Sequence, residues 1–141
     1  MTMIDLAGTI RKLVPFGGSP QQVFYIHVTS PANIGLVTLA TVGGQAVMID
    51  SVVEMARTAQ PANLTTAAVL GGAAQVVTFI SALLATNANL NAIDKQLGWT
   101  GTVRLAVGKT IVVDLVGAGP ALTDLDFTIT YHSESPGGVL S

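Results

Sequence analysis

The chain has 141 residues, of which half are hydrophobic and only 10% are charged, with a formal net charge of −2 and no cysteine. This length suits a single domain with its own core, and the apolar content excludes an intrinsically disordered chain. The lack of cysteine excludes disulfides, thiolate catalysis and cysteine zinc sites. Arg11 and Lys12 are the only adjacent basic pair, so we expect no nucleic-acid partner. An average soluble domain is about 25% charged, so this surface must be covered by partners or by lipid.

The first two thirds of the chain predict strands separated by glycine pairs. Residues 1–20 are expected to form an N-terminal arm. Val23–Thr29 alternates between two faces and predicts a strand. Ile34–Val42 and Ala46–Val53 flank Gly43-Gly44, which predicts a hairpin.

Leu64–Leu70 and Gln75–Ile80 flank Gly71-Gly72, which predicts a second hairpin, with a helix through Ile80–Ala85 as the competing prediction. Between this hairpin and the last third, residues 87–97 have helical spacing and are expected to contain a helical turn that ends near Gly98. The same region includes Ala67–Ala85, an uncharged stretch long enough to cross a bilayer as a helix. Its glycine pair and its lack of basic or aromatic anchors argue against a membrane span. A small membrane protein spanning residues 67–85 is kept as an alternative, and the first residues show no secretory signal.

The last third has the clearest alternation. Thr102–Val107 and Thr110–Val116 flank Gly108-Lys109 and predict a third hairpin. Asp124–His132 predicts a final strand with one apolar face and one polar face. Residues 133–141 are predicted to be a flexible C-terminal tail. Together these short strands indicate an all-β, antiparallel sandwich or barrel, formed by residues 1–141 as a single domain with at most one short helix.

Few residues are candidates for chemistry. Gly108-Lys109-Thr110 looks like the end of a phosphate-binding loop, but it lies between two predicted strands and is better explained as a turn. His27 and His132 could approach Asp126 if distant strands are neighbours, which leaves a hydrolase site as an alternative. Asp124 and Asp126 share a strand face, although turn capping explains them as well. We therefore expect no enzyme, no cofactor and no metal site.

Trp99 lies between Gly98 and Gly101 in a predicted loop. A tryptophan in such a place either anchors a partner or closes one end of the sandwich core. Both interpretations stay open at this point, with burial in the core favoured because tryptophan is highly buried on average.

The length, the absence of cysteine, the low charge and the alternating strands, most clearly 103–116 and 124–132, resemble a known family. The chain resembles phage capsid cement proteins, also called decoration proteins, and in particular the jelly-roll cement protein of short-tailed Bordetella-type phages. The resemblance implies a jelly roll. It also implies a virion protein that binds the outer surface of an icosahedral phage capsid and stabilises contacts between major capsid subunits. The implied location is the capsid surface, with the host cytoplasm during assembly.

The partners expected from this resemblance are the major capsid protein and further copies of the chain, as a homodimer or a homotrimer. We expect the contacts to come from the two ends of the chain and from the tryptophan loop, namely Arg11, Lys12, Phe16, Trp99, Val139 and Leu140. The alternative from another class is a β-sandwich that binds a ligand or a carbohydrate. That alternative needs exposed aromatic platforms, and the chain has one tryptophan, two tyrosines and four phenylalanines.

Overall fold

The computed structural model describes residues 2–4, 10–12, 20–29, 35–59, 64–71, 77–81, 87–117 and 124–141. These residues form strands almost throughout, with one short helix. The elements are β1 (Thr2–Ile4), β2 (Ile10–Lys12), β3 (Gln21–Thr29), β4 (Gly35–Gly43), β5 (Val47–Ala56), β6 (Leu64–Gly71), β7 (Val77–Ile80), α1 (Asn87–Leu90), β8 (Gln96–Leu105), β9 (Thr110–Gly117), β10 (Asp124–Ser133) and β11 (Val139–Leu140).

The strands form two main sheets with antiparallel pairing throughout. One sheet has the order β3-β10-β5-β8, and the other has the order β11-β4-β9-β6-β7. The pairing is nested, because β3 pairs with β10, β4 with β9, β5 with β8 and β6 with β7. A long antiparallel ribbon that turns at β6–β7 and rolls up gives this pattern, which is a jelly roll. The all-β, jelly-roll-like sandwich predicted from the sequence is therefore confirmed. Of the strands described, β1 and β2 pair only with each other.

The core lies between the two sheets. Successive side chains of a strand point to opposite faces, so every second residue enters the core. In β10 these residues are Leu125, Phe127 and Ile129, and all three are fully buried. From the opposite sheet, β9 contributes Ile111, Val113 and Leu115, which are also fully buried. Burying each such side chain stabilises the fold by roughly 1.5–3 kcal/mol, so this apolar interior holds the sheets together.

Two of the three predicted hairpins are wrong, although their strands are present. β4 and β5 lie in different sheets, and so do β8 and β9. Turns at Gly44 (φ 70°) and Gly108 (φ 83°) carry the chain from one sheet to the other. Glycine at positive φ suits this crossing as well as it suits a hairpin, so the local sequence does not distinguish them. The third prediction is confirmed, because β6 and β7 pair directly.

The segment between β7 and β9 also differs from its prediction. Helix α1 covers only Asn87–Leu90, and β8 already begins at Gln96. Asp94 adopts a left-handed conformation with φ 65°. Its amide donates to the carbonyl of Ala56 over 2.8 Å, which fixes this turn against the end of β5. Leu97 and Gly98 therefore belong to a strand and not to a helix end.

The alternative of a membrane-spanning helix over 67–85 does not agree with the structure, which has two strands in this region. Its described part contains the end of β6 and the whole of β7, which pair with each other. Across the described ranges, no helix is both long enough and apolar enough to cross a membrane.

The prediction of a flexible tail over 133–141 is corrected by the structure. Ser133 ends β10, and Val139–Leu140 forms β11 alongside β4. Thr41 and Ser141 exchange two backbone hydrogen bonds of 2.7 and 3.1 Å. Leu140 is only 7% exposed and belongs to the core. The glycines and proline that suggested flexibility instead form the turn that returns the chain to the sheet.

We predict that Leu140→Ala lowers the free energy of unfolding by roughly 2–3 kcal/mol, because it leaves a cavity at the edge of the core. Val139→Ala is the matched control, since Val139 is 43% exposed and its loss should cost less than about 0.5 kcal/mol. Urea unfolding followed by Trp99 fluorescence measures both. Equal stability of the two variants would show that this end of the chain is not part of the fold.

Candidate functional site

The structure describes five of the six residues that the sequence predicted as contacts. Phe16 lies outside the described residues. Arg11 and Lys12 lie on β2, where their backbones pair with Met3 and Thr2 of β1. Val139 is on the surface and Leu140 is in the core. Among the described strands, β2 and β11 are not paired with each other.

Trp99 lies in β8, opposite Val52 of β5, and not in a loop. Its partly buried indole packs against the core and meets the ring of Phe79 edge-on, with centroids 4.8 Å apart and an interplanar angle of 68°. Gly101 leaves room for it, because a Cβ there would lie only 2.6 Å from indole Cζ2. Of the two interpretations of Trp99, these contacts favour the one that places it in the core.

Several large apolar side chains are exposed that the sequence did not single out as contacts. They are Val23, Tyr25, Leu36, Ile93 and Val107. Single exposed apolar residues are common on any protein surface. Val23 and Tyr25 differ from the others because they stand two residues apart on the same face of β3. The alternation of β3 placed them on the outer face already, so the signal was present in the sequence.

A polar cluster lies where the end of β3 meets the start of β10. His27 pairs directly with Asp126, and its ring contacts both Asp126 and Asp124. Tyr25 donates from its hydroxyl to Asp126 Oδ1 over 2.8 Å. This hydrogen bond is the main reason why the pKa of Tyr25 is raised above its ordinary value. Arg57 contacts His27 Nδ1 and lies 3.9 Å from Asp126 Oδ2.

The polar groups of this cluster are paired with one another. Asp126 is only 6% exposed, and the groups around it supply donors and positive charge. Arg57 can only donate to His27 Nδ1, since a guanidinium has no acceptor. The Nδ1 atom of His27 faces Arg57 and Asp126, and its other ring nitrogen contacts Asp124. Such an arrangement ties β3, β10 and the residue after β5 together.

The structure does not bring His27, His132 and Asp126 together into the hydrolase site that the sequence left as an alternative. His27 does meet Asp126, as the sequence allowed, but His132 pairs with Asp50, with Nδ1 and Oδ2 2.8 Å apart. His132 lies opposite Gln21, at the other end of the β3–β10 pair. Within the described ranges, no group of three or more His, Asp or Glu side chains is placed to hold a metal ion.

Glu54 is the unexpected ionisable group of the structure. It is fully buried on the inner face of β5, and no described group forms a hydrogen bond with either carboxylate oxygen. Its neighbours across the sheet are Phe127 of β10 and Leu97 of β8. This apolar surrounding disfavours the charged form, so desolvation raises the pKa of Glu54 from 4.5 to about 7.

A β-bulge explains why the sequence did not reveal Glu54 as buried. The register of β5 against β8 shifts between Ile49 and Ser51. Before the shift odd-numbered residues face the core, and after it even-numbered residues do. The inward-facing residues of β5 are Val47, Ile49, Val52, Glu54 and Ala56. Simple alternation from Val47 would have placed Glu54 in solvent.

Comparisons with known proteins support the fold. The structure is similar to a chain from the acidic stable capsid structure of Helicobacter pylori bacteriophage KHP30, with a TM-score of 0.55 and 13% identity, over 86% of this chain and 92% of that one. It is also similar to a chain from the cyanophage Pam1 capsid asymmetric unit, with a TM-score of 0.55 and 16% identity, over 92% of this chain and 96% of that one. No family model and no curated protein sequence matches the chain. At these identities the similarity shows a shared fold.

We predict that the free energy of unfolding falls as the pH rises from 4.5 to about 7, because Glu54 ionises at a higher pH in the folded chain than in the unfolded chain. The unfolded chain ionises Glu54 near its ordinary pKa of 4.5, whereas the folded chain keeps the proton until about pH 7. The stability is therefore fully present below pH 4.5 and falls as the pH rises to about 7. At about 1.4 kcal/mol per pH unit the loss totals roughly 3 kcal/mol.

Urea unfolding at pH 5 and pH 8 tests this prediction. Glu54→Gln should remove most of the decline, because the amide does not ionise. Glu134→Gln is the control, since Glu134 is exposed and paired with Arg104 at 2.8 Å, and it should keep the decline of the parent protein. An equally steep decline in Glu54→Gln would contradict the prediction.

Proposed function

We propose that this chain is a structural protein of a phage virion that binds the outer surface of an icosahedral capsid and stabilises contacts between major capsid subunits. The observation that carries the proposal is the jelly roll, which is similar over nearly its whole length to chains from two phage capsid structures. The role proposed is structural and non-enzymatic. The proposed location is the capsid surface, after assembly in the host cytoplasm.

The surface chemistry supports this role. Only 10% of the residues are charged, and large apolar side chains such as Leu36, Ile93 and Val107 are more than half exposed. Apolar surface with little charge is suited to burial against another protein. A capsid repeats the same contact many times, so a modest affinity at each site suffices to hold the shell together.

We revise the set of contact residues expected from the sequence. Arg11, Lys12 and Phe16 in the N-terminal arm, and Val139 on the surface of β11, are retained as contacts. Leu140 and Trp99 are reassigned to the core, where burial and ring packing account for them. The arm precedes the sandwich and carries the only adjacent basic pair of the chain. Such an arm can reach a subunit that the sandwich itself does not touch.

The carbohydrate-binding alternative has weaker support. Such sites stack sugars on exposed aromatic rings. Among the aromatic side chains that the structure describes, only Tyr25 is more than half exposed. Its hydroxyl is already bonded to Asp126.

We predict that the purified protein co-sediments with empty shells assembled from the major capsid protein encoded in the same genome. Replacing the basic pair, Arg11→Glu with Lys12→Glu, should weaken this binding at least about tenfold, because it reverses both positive charges that the arm brings to the proposed contact. The matched control is Lys95→Glu with Lys109→Glu, which makes the same charge change outside the arm and should bind as the parent protein does.

Failure of the parent protein to co-sediment at any concentration would overturn the proposed function. Equal weakening by the two double variants would overturn the role given to the arm, because net charge and not position would then decide binding.

A further inference from the structure

Among the strands that the structure describes, four lie at the edges of the two main sheets, and three of them carry features that hinder pairing with another strand. In the second sheet, β11 has 2 residues and β7 has 4 residues, so each offers few backbone groups. In the first sheet, β8 is longer, but it contains two glycines and the exposed Arg104, and its register against β5 is broken. Short length, charge and bulges are the usual protections of a sheet edge.

The fourth edge, β3, lacks these protections. It has 9 residues, and its register against β10 continues without a shift from Gln21 to Thr29. It contains no Asp, Glu, Lys or Arg and neither glycine nor proline. On its other side, no described strand pairs with it. An edge that is long, regular and uncharged is a template for a further strand.

Both faces of β3 also leave apolar surface uncovered. On the outer face Val23 is 66% exposed and Tyr25 is 54% exposed. On the inner face Phe24 and Ile26 are only partly buried, although they pack against the core. The core is therefore incomplete along this edge. A strand added there would cover all four side chains at once.

We propose that β3 pairs in antiparallel fashion with β3 of a second copy of this chain, which joins the two four-stranded sheets into one continuous sheet. The register of this pairing is set by a twofold axis that is perpendicular to the sheet. The axis passes midway between Phe24 of one copy and Phe24 of the other. In a twofold interface each contact occurs twice. A twofold axis perpendicular to the sheet keeps the outer faces of the two β3 strands on the same side. Each residue therefore lies opposite a partner residue whose number is the same or differs by an even number.

This register explains why the added strand is a second copy and not an unrelated one. It sets Val23 opposite the partner's Tyr25, and Tyr25 opposite the partner's Val23. Each exposed residue thus covers the other, in the aromatic and β-branched combination that stabilises antiparallel pairs. No like charges oppose each other, because β3 has neither acidic nor basic side chains apart from His27. The strand is therefore complementary to itself in shape and in charge.

Cysteine cross-linking tests the register directly, because the chain has no cysteine of its own. Directly opposed residues have Cα atoms about 4.5–5.5 Å apart, within disulfide reach, while a shift of two residues exceeds that reach. Val23→Cys and Tyr25→Cys, refolded together and mildly oxidised, should form a mixed disulfide dimer. Either variant alone should form several-fold less. Equal cross-linking of each variant with itself, or none in the mixture, would overturn the proposed register.

Sedimentation velocity over a range of concentrations tests the interface without cysteines. The parent protein should form a dimer, and Val23→Lys should raise its dissociation constant at least about tenfold. Val107→Lys is the matched control, because Val107 is 55% exposed outside β3, and it should dimerise as the parent does. Thermal unfolding of both variants checks that each is folded.

A parent protein that stays monomeric, or equal dimerisation of both lysine variants, would overturn the proposal. A third result would also overturn it: a parent protein that is monomeric and binds shells, with binding lost in Val23→Lys and kept in Val107→Lys. The strand that covers the β3 edge would then belong to a capsid subunit. Dimerisation is measured on the free protein. A failure to bind shells therefore overturns the proposed function and leaves the dimer standing.

Discussion

The packing of two apolar sheet faces against each other is the constraint on which the rest of the molecule depends. Both faces come from strands that alternate regularly, and their inward residues, such as Phe127 and Ile111, are fully buried. The strands from β3 to β10 pair in a nested order, and this order places each of them over the same interior. Burial of this interior provides the main stabilisation, since few charges are available to contribute. The outer faces are then left to interact with solvent or with partners.

Alternation along the chain was enough to predict the fold class and most of the strands. The strand over Val23–Thr29 and the final strand over Asp124–His132 lie where the pattern put them. The identity of neighbouring strands could not be predicted in the same way. A positive-φ glycine such as Gly44 or Gly108 allows both a hairpin and a crossing between sheets. The decision between them comes from the distant strands that complete each sheet, which a local pattern does not contain.

The candidate site was predicted less well than the fold, for three physical reasons. The bulge after Ile49 reverses which residues of β5 face inward, so the burial of Glu54 could not be seen. The glycine-rich end of the chain was taken for a flexible tail, yet it brings Leu140 into the core. The contact between His27 and Asp126 depends on two strands from opposite ends of the chain. Sequence allowed that contact but could not select it.

Two sets of ionisable side chains are paired or enclosed within the fold. The polar cluster at His27 is internally paired, and Glu54 is enclosed by apolar neighbours. The exposed apolar residues lie instead on strand faces and turns. The proposed contacts with other protein subunits depend on this exposed apolar surface.

Cryo-electron microscopy of the capsid proposed as the partner, reconstructed with and without this chain, tests the proposed role most directly. The expected difference is a sandwich-shaped density on the outer surface that spans the boundary between neighbouring major capsid subunits. Identical reconstructions, or extra density confined to the inside of the shell, would contradict it.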